Sequence, residues 1–512
     1  MNSSISRMIG MIVVAMVWVD GEASAAVNLP SVFSDHMVLQ RDMVVPIWGT
    51  AAPGEKVTVK FRDQEQTTTA GTNGQWQVKL KPLQAGGPDQ LVVNTVTNED
   101  VLVGEVWIGS GQSNMAMGSS SYTNNDHVLA AAVAAAPHPK IRLVLANKKR
   151  QPATSQDLAG FSALLFSFGL RLQNQLDVPV GLMLGAVGGT PSGRWLSREA
   201  LNSDAVCQEL INKYAATFDA AMQQYTADLQ KWETADAQAQ RENTKRPARP
   251  AAPAKPGETR AGGPVGDLYA AHIKPFQPYG IRGVLWDQGE TGTALAGIDQ
   301  FSLMGALING WRKDWHEGDF PFIYIEKPSG GGCVWDKENP VTKHGEAFGP
   351  LPPQVPNDGQ FVETHIKIMT YPNTAMATSS DLGSGLHPTN KSGYGHRAAD
   401  VALGFVYGKK IEYYGPSYTA HKIDGAKVRI NFTHTDQGLA FQHGDKLQGF
   451  AIAGADQQFH WADAVIDGDT VVASCAAVPK PVFVRYAWSS NRRWANLFNK
   501  AGLPAIPFRT DF

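Results

Sequence analysis

The sequence predicts an α/β protein in which a parallel sheet, covered by helices on both faces, is flanked by an N-terminal β-sandwich and a C-terminal β-rich module. Apolar strand-like segments alternate with helical ones over residues 101–410, which is typical of a parallel sheet with crossover helices. On either side of this region, apolar and polar residues alternate with a period of two, which indicates antiparallel strands. At 512 residues the chain is also too long for a single core, so two or three domains are expected.

The first 25 residues are interpreted as a secretory signal peptide. Arg7 precedes an apolar run over residues 8–19, and the small residues Ala23-Ser24-Ala25 follow it. The run is shorter than the roughly 20 residues that a membrane-spanning helix needs. A buried N-terminal helix is the alternative, but the run has no polar face. We therefore expect a secreted or periplasmic protein without a membrane partner.

Residues 26–100 are predicted to form the β-sandwich module. Alternating segments at 56–61 and 75–80 are separated by the turn dipeptide Asn73-Gly74, which is typical of a hairpin. This region shows no catalytic constellation, so its expected role is structural or accessory.

Residues 101–410 are predicted to form the central domain. Strand-like runs at 141–145, 178–184 and 320–325 alternate with helical stretches such as 161–176. An amphipathic helix is predicted over residues 208–232, and the Pro/Ala-rich stretch 245–263 after it is expected to be a mobile part of the same insertion, 208–263. Alternation returns in the C-terminal module, residues 411–512.

Composition excludes several classes of function. The formal net charge of −2 does not indicate the positively charged surface that binding to nucleic acid requires. No motif has metal-ligand spacing and no glycine-rich loop continues into a phosphate-binding pattern, so neither a metal nor another cofactor is expected. Cys207, Cys333 and Cys475 are too few and too widely spaced for a disulfide framework. One pair could bridge, but three free thiols are favoured.

A candidate nucleophile, Ser113, follows the buried-type strand at residues 101–109. The strand stops abruptly in Gly109-Ser-Gly-Gln-Ser113, a turn that can present one hydroxyl beside free backbone N–H groups. An ordinary Gly/Ser/Asn turn is the alternative. Three further blocks, at 185–191, 284–291 and 381–388, also follow strand-like segments. The carboxyl ends of parallel strands meet at one edge of a sheet, so the four blocks are predicted to converge.

In this order the four blocks resemble the sialate O-acetylesterase-type carbohydrate esterases, a branch of the SGNH hydrolases. The resemblance covers nearly the whole chain after the first thirty residues, including the lead-in at 38–41 and the closing segment at 502–508. It implies an SGNH-like, flavodoxin-like central domain and hydrolysis of an acetyl ester on a carbohydrate. Trp107, Trp195 and Trp286, in or beside the blocks, could stack on a sugar but are interpreted as core aromatics.

The resemblance assigns the site residues. Ser113 is the expected nucleophile, flanked by Gln112 and Asn114, and its own N–H is one oxyanion donor. The N–H of Gly188 or Gly189 is the expected second donor, unless that segment is merely a tight loop. Of the 13 histidines, His387 alone lies in a Gly/Ser loop followed by proline, at the position of the family's catalytic base.

The acid that orients His387 is left open between Glu290 and Asp381, with Glu290 favoured. Many SGNH enzymes carry an aspartate two or three residues before the histidine, where this chain has Ser384 and Gly385. Asp381 lies six residues upstream in the same loop. Either carboxylate could instead be structural.

The third block departs from the family pattern at two positions. Thr291-Gly292 replaces the usual Ser-Asn, which removes a side-chain oxyanion donor worth on the order of 3 kcal/mol. Gln288 or a backbone N–H is the expected replacement. Asp287 stands where tyrosine is usual. These changes are compatible with altered specificity, weak activity or a non-catalytic binding protein.

The sequence thus predicts an exported serine esterase that deacetylates a carbohydrate. O-acetylated sialic acid and an acetylated polysaccharide such as xylan are the open substrate alternatives. A non-catalytic carbohydrate-binding relative is the alternative of a different class, and a peptidase is disfavoured because the resemblance is to ester-cleaving families.

Overall fold

The structure is a computed structural model that describes residues 27–145, 151–260, 262–435 and 437–511. The signal peptide predicted over residues 1–25 lies outside these residues. None of the helices in the described ranges combines the length and the apolar character needed to cross a membrane.

The N-terminal module consists of two small sheets that share one apolar core. Its strands are β1 (Val38–Gln40), β2 (Val45–Thr50), β3 (Lys56–Phe61), β4 (Gln64–Thr69), β5 (Gln75–Leu80) and β6 (Gly86–Val93). β2 pairs with β5, whereas β3 pairs with β4 and β6, all antiparallel. The Asn73-Gly74 turn therefore connects strands of different sheets rather than closing a hairpin, and Gly74 takes the left-handed φ of 75° there.

A single long strand joins this module to the central sheet. β7 (Val96–Gly111) pairs through its first half with β6 and, in parallel, with β1. Its second half, from Glu105 onward, is the middle strand of the central sheet. The domain boundary predicted between residues 100 and 101 thus falls inside a continuous strand.

The central sheet is parallel apart from one edge strand. Its further strands are β8 (His138–Leu145), β9 (Gln151–Ala153), β10 (Val180–Ala186), β11 (Gly283–Asp287), β12 (Phe322–Ile325) and β13 (Thr374–Ala377). The strand order is β13-β12-β11-β7-β10-β8-β9, with only the last pair antiparallel. The carboxyl ends of β7, β10, β11 and β13 therefore lie along one edge of the sheet.

Helices cover both faces of this sheet, which confirms the predicted fold class. They are α1 (Ser113–Ala116), α2 (His127–Ala134), α3 (Ser155–Gly160), α4 (Ala163–Leu176), α5 (Arg198–Ser203), α6 (Ala205–Glu242), α7 (Asp267–His272), α8 (Gln300–Trp315), α9 (Gln360–Ile368) and α10 (Lys391–Val401). Neighbouring residues of β7 point to opposite faces: Trp107 packs in the core with α4 and α10, and Ile108 in the core with α8. Trp107, Trp195 and Trp286 are all fully buried, as core aromatics should be.

The insertion contains a longer helix than the sequence predicts. α6 begins where the Asp204 side chain accepts the Cys207 N–H and ends at Asn243, in the left-handed conformation. The following Pro/Ala-rich stretch has defined contacts with it, since both oxygens of the Asp236 carboxylate accept from Arg246. A bidentate ion pair of this kind holds the start of a stretch that the sequence predicts to be mobile.

The C-terminal module is built from short antiparallel strands around a third apolar core. They are β14 (Ser417–Asp424), β15 (Lys427–Thr433), β16 (Leu439–Phe441), β17 (Phe450–Ala453), β18 (His460–Trp461), β19 (Asp463–Asp467), β20 (Thr470–Ser474), β21 (Phe483–Tyr486), β22 (Leu497–Asn499) and β23 (Phe508–Arg509). They form the sheets β14-β15-β20-β19 and β18-β17-β21-β23 and the pair β16-β22. Cys207, Cys333 and Cys475 are all free thiols, as favoured from the sequence.

Candidate active site

Ser113 is the first residue of α1, immediately beyond the end of β7. The turn between them depends on Gly111, whose φ of 125° is unfavourable for other residues. A Cβ on Gly111 would lie 2.1 Å from the carbonyl oxygen of Asp287 on the neighbouring strand. The half-buried Ser113 hydroxyl is therefore presented at the tip of the sheet because a glycine permits the close approach of β7 and β11.

His387 lies against Ser113 although 274 residues separate them in the chain. The distance from His387 Nε2 to Ser113 Oγ is 2.9 Å, which is a hydrogen bond. His387 belongs to the loop between β13 and α10, where Gly383 and Gly385 have φ values of 122° and 91°. The imidazole is exposed, so the pair is open to a substrate from solvent.

Two backbone N–H groups beside the hydroxyl are available to an oxyanion. Among the hydrogen bonds of the described residues, neither the Ser113 N–H nor the Gly188 N–H donates to a protein acceptor. A Cβ on Gly188 would lie 3.5 Å from Ser113 Cβ, so the two residues are in direct apposition. Gly189, the other candidate, has a φ of 70° in the same turn. A Cβ placed on Gly189 would have no other atom within 4 Å.

Neither candidate acid contacts the imidazole in the described hydrogen bonds. Asp381 is fully buried and forms a bidentate ion pair with Arg397, at 3.2 and 2.9 Å. Glu290 accepts from Asn114 Nδ2 at 2.9 Å and lies 2.6 Å from Lys327 Nζ. The structure thus engages Asp381 elsewhere and places Glu290 beneath the nucleophile turn rather than behind His387.

The glutamines of the site are engaged within the protein. Gln112 accepts the Thr291 hydroxyl at 2.8 Å, which ties the first block to the third. Gln288 Nε2 has acceptors in Gly292 O at 3.0 Å and Thr291 Oγ1 at 3.2 Å, and its side chain is buried. The Gln288 amide therefore has acceptors within the protein, and its role as a replacement oxyanion donor stays a prediction. A Cβ on Gly292 would meet open space.

No family model matches the chain, but individual proteins do. It is 26% identical to the mouse sialate O-acetylesterase, over 98% of this chain and 97% of that protein. It is 24% identical to the human sialate O-acetylesterase, over 98% and 95% of the two chains. The crystal structure of a carbohydrate acetylesterase from Xanthomonas citri superposes with a TM-score of 0.71 and 29% identity, covering 95% of this chain and 100% of that one.

The chain is a carboxylic ester hydrolase that is similar to the sialate O-acetylesterases. The relationship extends over all three modules, because the matches cover nearly the full length of both partners. The resemblance seen in the four blocks is confirmed, and so is its implication of a carboxylic ester hydrolase.

Beneath Ser113 the esterase contains a buried cluster of charged side chains that the sequence reasoning did not find as a group. Lys327 Nζ is 2.6 Å from both Asp287 Oδ1 and Glu290 Oε1. Lys391 Nζ donates to Asn114 Oδ1, also at 2.6 Å. Both lysines and Asp287 are completely buried, and Glu290 is 17% exposed.

Burial and pairing shift the pKa values of this cluster in different directions. Burial raises the pKa of Asp287 although Lys327 opposes this. Burial also acts to raise the pKa of Glu290, but Lys327 holds it below the ordinary value. The two carboxylates raise the pKa of Lys327 despite its burial. Lys391 has no carboxylate in direct contact, and burial lowers its pKa to about 7.

Several polar atoms at this end of the sheet lack partners. Asp287 Oδ2, Glu290 Oε2 and His365 Nε2 are inaccessible to water and have no hydrogen-bond partner among the described residues. His365 lies next to Gly289, and burial lowers the pKa of its imidazole to about 4, so it is neutral at pH 7. No group of His, Cys, Asp and Glu side chains in the described part of the chain could hold a metal ion.

The positions of the two lysines in the sequence place them near the site but do not reveal their burial. Lys327 follows β12 by two residues, and its strand ends at the same edge as the other blocks. Lys391 follows His387 by four residues at the first position of α10. A lysine is usually a surface residue, and the sequence alone gives no sign that these two are buried.

Proposed function

We propose that this esterase removes O-acetyl groups from a carbohydrate, with Ser113 as the nucleophile and His387 as the general base. The observation that carries the proposal is the 2.9 Å hydrogen bond between Ser113 Oγ and His387 Nε2. A serine hydroxyl becomes a competent nucleophile when a base at this distance can take its proton. The free N–H groups of Ser113 and Gly188 are the oxyanion donors in this proposal.

The reaction divides into two steps in this arrangement. Ser113 Oγ attacks the acetyl carbonyl carbon while Nε2 of His387 takes the hydroxyl proton, and the carbonyl oxygen becomes an oxyanion facing the two N–H groups. The bond from the acetyl carbon to the sugar oxygen then breaks, and His387 returns the proton to the leaving alcohol. Water, deprotonated by His387, attacks the acetyl-serine, and acetate leaves as Ser113 regains its proton.

Replacement of Ser113 by alanine tests the nucleophile. We expect Ser113→Ala to lower kcat/KM for 4-nitrophenyl acetate by about a thousandfold or more, because no acyl-enzyme can form. The measurement is the release of 4-nitrophenol, with circular dichroism as the control for folding. Ser120→Ala, in the exposed part of the same segment, is the matched control. Turnover by Ser113→Ala at the wild-type rate would refute the assignment.

The nature of the carbohydrate is the next level of the proposal. We infer an O-acetylated sugar because the relatives include sialate O-acetylesterases and a carbohydrate acetylesterase. O-acetylated sialic acid is the first candidate and acetylated xylan the second. Acetate release from a panel of both, with Ser113→Ala as the blank, distinguishes them. Release from neither would remove the carbohydrate assignment while leaving the esterase chemistry intact.

The activation of Ser113 has its own test, because Gly292 has no side chain to donate to an oxyanion and no described hydrogen bond joins an acid to His387. A fluorophosphonate probe measures this activation, since only a serine activated by a base is labelled rapidly. We expect stoichiometric labelling of the wild type and none of Ser113→Ala.

We also propose that the protein is exported, through its N-terminal segment. Retention of the full-length chain in the cytoplasm, with residues 1–25 uncleaved, would contradict this.

A further inference from the structure

The loop that carries His387 needs support from outside itself. Residues 384–387 are exposed, and two glycines in the loop adopt positive φ values. The described hydrogen bonds include no carboxylate on the imidazole. Asn114 provides a tie from the nucleophile turn, because its Nδ2 donates to the carbonyl oxygen of Leu386 at 3.0 Å. That carbonyl belongs to the peptide bond that leads directly into His387.

The orientation of the Asn114 amide determines whether this tie forms. An amide presents two donor hydrogens on one side and an acceptor oxygen on the other. Lys391 Nζ donates to Asn114 Oδ1 at 2.6 Å, and it carries hydrogens to donate in both its protonated and its neutral form. Nδ2 is thereby directed toward Glu290 Oε1 and Leu386 O, at 2.9 and 3.0 Å. A rotated amide would face both of these acceptors with its oxygen.

We propose that Lys391 is a positioning residue that acts through Asn114 to hold the His387 loop at hydrogen-bond distance from Ser113. The proposal rests on the catalytic roles of Ser113 and His387 given above. It also gives Glu290 a role other than orienting the imidazole: Glu290 is the second acceptor of the same amide.

The environment of Lys391 offers its ammonium group two aromatic rings and an amide oxygen but, among the described ion pairs, no direct counter-ion. Its Nζ lies 5.0 Å from the Tyr122 ring centroid and 5.3 Å from that of Tyr394. Its hydrogen-bond acceptor is a neutral amide oxygen rather than a carboxylate. Burying a lysine without a direct counter-ion opposes folding, and an apolar side chain of similar volume would be tolerated better. The nearest charges, Asp126, Asp287, Glu290 and Lys327, act on Lys391 from a distance.

The start of α10 is anchored independently of Lys391, which provides a matched control. The N–H and hydroxyl groups of Ser392 both donate to the buried Asp126 carboxylate at 2.7 Å. Ser392 is adjacent to Lys391 but makes no described contact with Asn114. Ser392→Ala should therefore weaken the helix start without altering the Asn114 amide.

The test compares Lys391→Met, Lys391→Gln and Ser392→Ala with the wild type. We expect Lys391→Met to lower kcat for 4-nitrophenyl acetate and the rate of fluorophosphonate labelling by about 10- to 100-fold, with KM changed less than about threefold. Lys391→Gln, which keeps a donor, should recover part of the loss. Ser392→Ala should lower the Tm and leave the labelling rate at the wild-type value. In Lys391→Met/Asn114→Ala the losses should not add, because both changes break one relay.

Wild-type kcat and labelling in Lys391→Met would overturn the proposal, as would additive losses in the double variant. If Lys391→Met does not fold, Asn114→Ala is tested in its place. A wild-type labelling rate in Asn114→Ala overturns the proposal. A lower labelling rate with an unchanged KM supports it. Failure of the underlying function looks different, because the wild type itself would then not be labelled.

Discussion

Both ends of the central sheet bury a charged cluster, but the two clusters differ in how completely their atoms are paired. At the amino end, Glu105 is fully buried and accepts from Gln40, Arg41 and Arg282, at 3.1, 2.5 and 2.9 Å. At the carboxyl end, oxygens of Asp287 and Glu290 remain without partners beside two buried lysines.

Complete pairing distinguishes structural from functional charge in this esterase. A buried ion network whose members are all hydrogen-bonded fixes packing and little else. Unpaired buried atoms with shifted pKa values concentrate at functional sites, because a catalytic arrangement is not optimised for stability. The cluster beneath Ser113 is of the second kind. At the amino end the Glu105 carboxylate is of the first kind, whereas Glu317, near Arg282, has a buried oxygen of its own that is unpaired among the described residues.

Removal of Lys327 should have the largest effect on stability. Lys327→Met leaves Asp287 and Glu290 buried without their counter-ion, so we expect the free energy of unfolding to fall by about 3–5 kcal/mol. Chemical denaturation measures the change. The exposed Lys410→Met is the matched control and should lie within about 0.5 kcal/mol of the wild type. Equal stability of the two variants would show that the pairs with Lys327 do not hold the cluster.

A variant at the amino end should separate stability from catalysis. Arg282→Met removes one of three donors to Glu105 and should lower the free energy of unfolding by about 2 kcal/mol. Because this end is remote from the strand tips, the rate of fluorophosphonate labelling at Ser113 should be unchanged in the fully folded variant. A slower labelling rate would show that the two ends are coupled and would remove the distinction drawn above.

The smallest expected effect is a pH dependence of the protein's stability, caused by Glu317 at the amino end of the central sheet. Burial raises the pKa of Glu317 from its ordinary 4.5 to about 8, against the attraction of Arg282. Between these two pH values the folded state keeps a proton that the unfolded state has lost, so stability falls as the pH rises from 4.5 to 8.

Glu317→Gln should remove this decline. We expect the wild type to lose on the order of 1–2 kcal/mol more than the variant between pH 5 and 8, after allowing for the partial exposure of Glu317. Denaturant midpoints across this pH range measure the difference. Parallel curves for the two proteins would contradict a protonated Glu317.

The fold was predictable because its signals are local. Alternation with a period of two identified the outer modules, and the strand-to-helix alternation identified the parallel sheet between them. The convergence of Ser113 and His387 followed from the rule that strand ends meet at one edge. Three features were not predictable, because they depend on contacts between distant segments. They are the continuity of strand β7, the connection of two different sheets by the Asn73-Gly74 turn, and the length of α6.

The supporting residues of the site were less predictable than its reacting residues. Asp381 lies in the same loop as His387, yet Arg397 sixteen positions along the chain takes both of its oxygens. The sequence favours Glu290 over Asp381 as the partner of the imidazole, whereas the described partners of its carboxylate are Lys327 and Asn114. Side-chain pairing in a buried cluster is decided by three-dimensional neighbours, and a linear pattern contains little information about them.

Because β7 belongs to both the N-terminal module and the central sheet, it limits how far this enzyme can be shortened. A fragment starting at residue 101 would begin partway along β7 and would lose β1 and β6, the neighbours of its first half. Its exposed backbone N–H and C=O groups would then invite pairing between copies. The smallest unit that keeps Ser113 on a properly bordered strand therefore includes the N-terminal module.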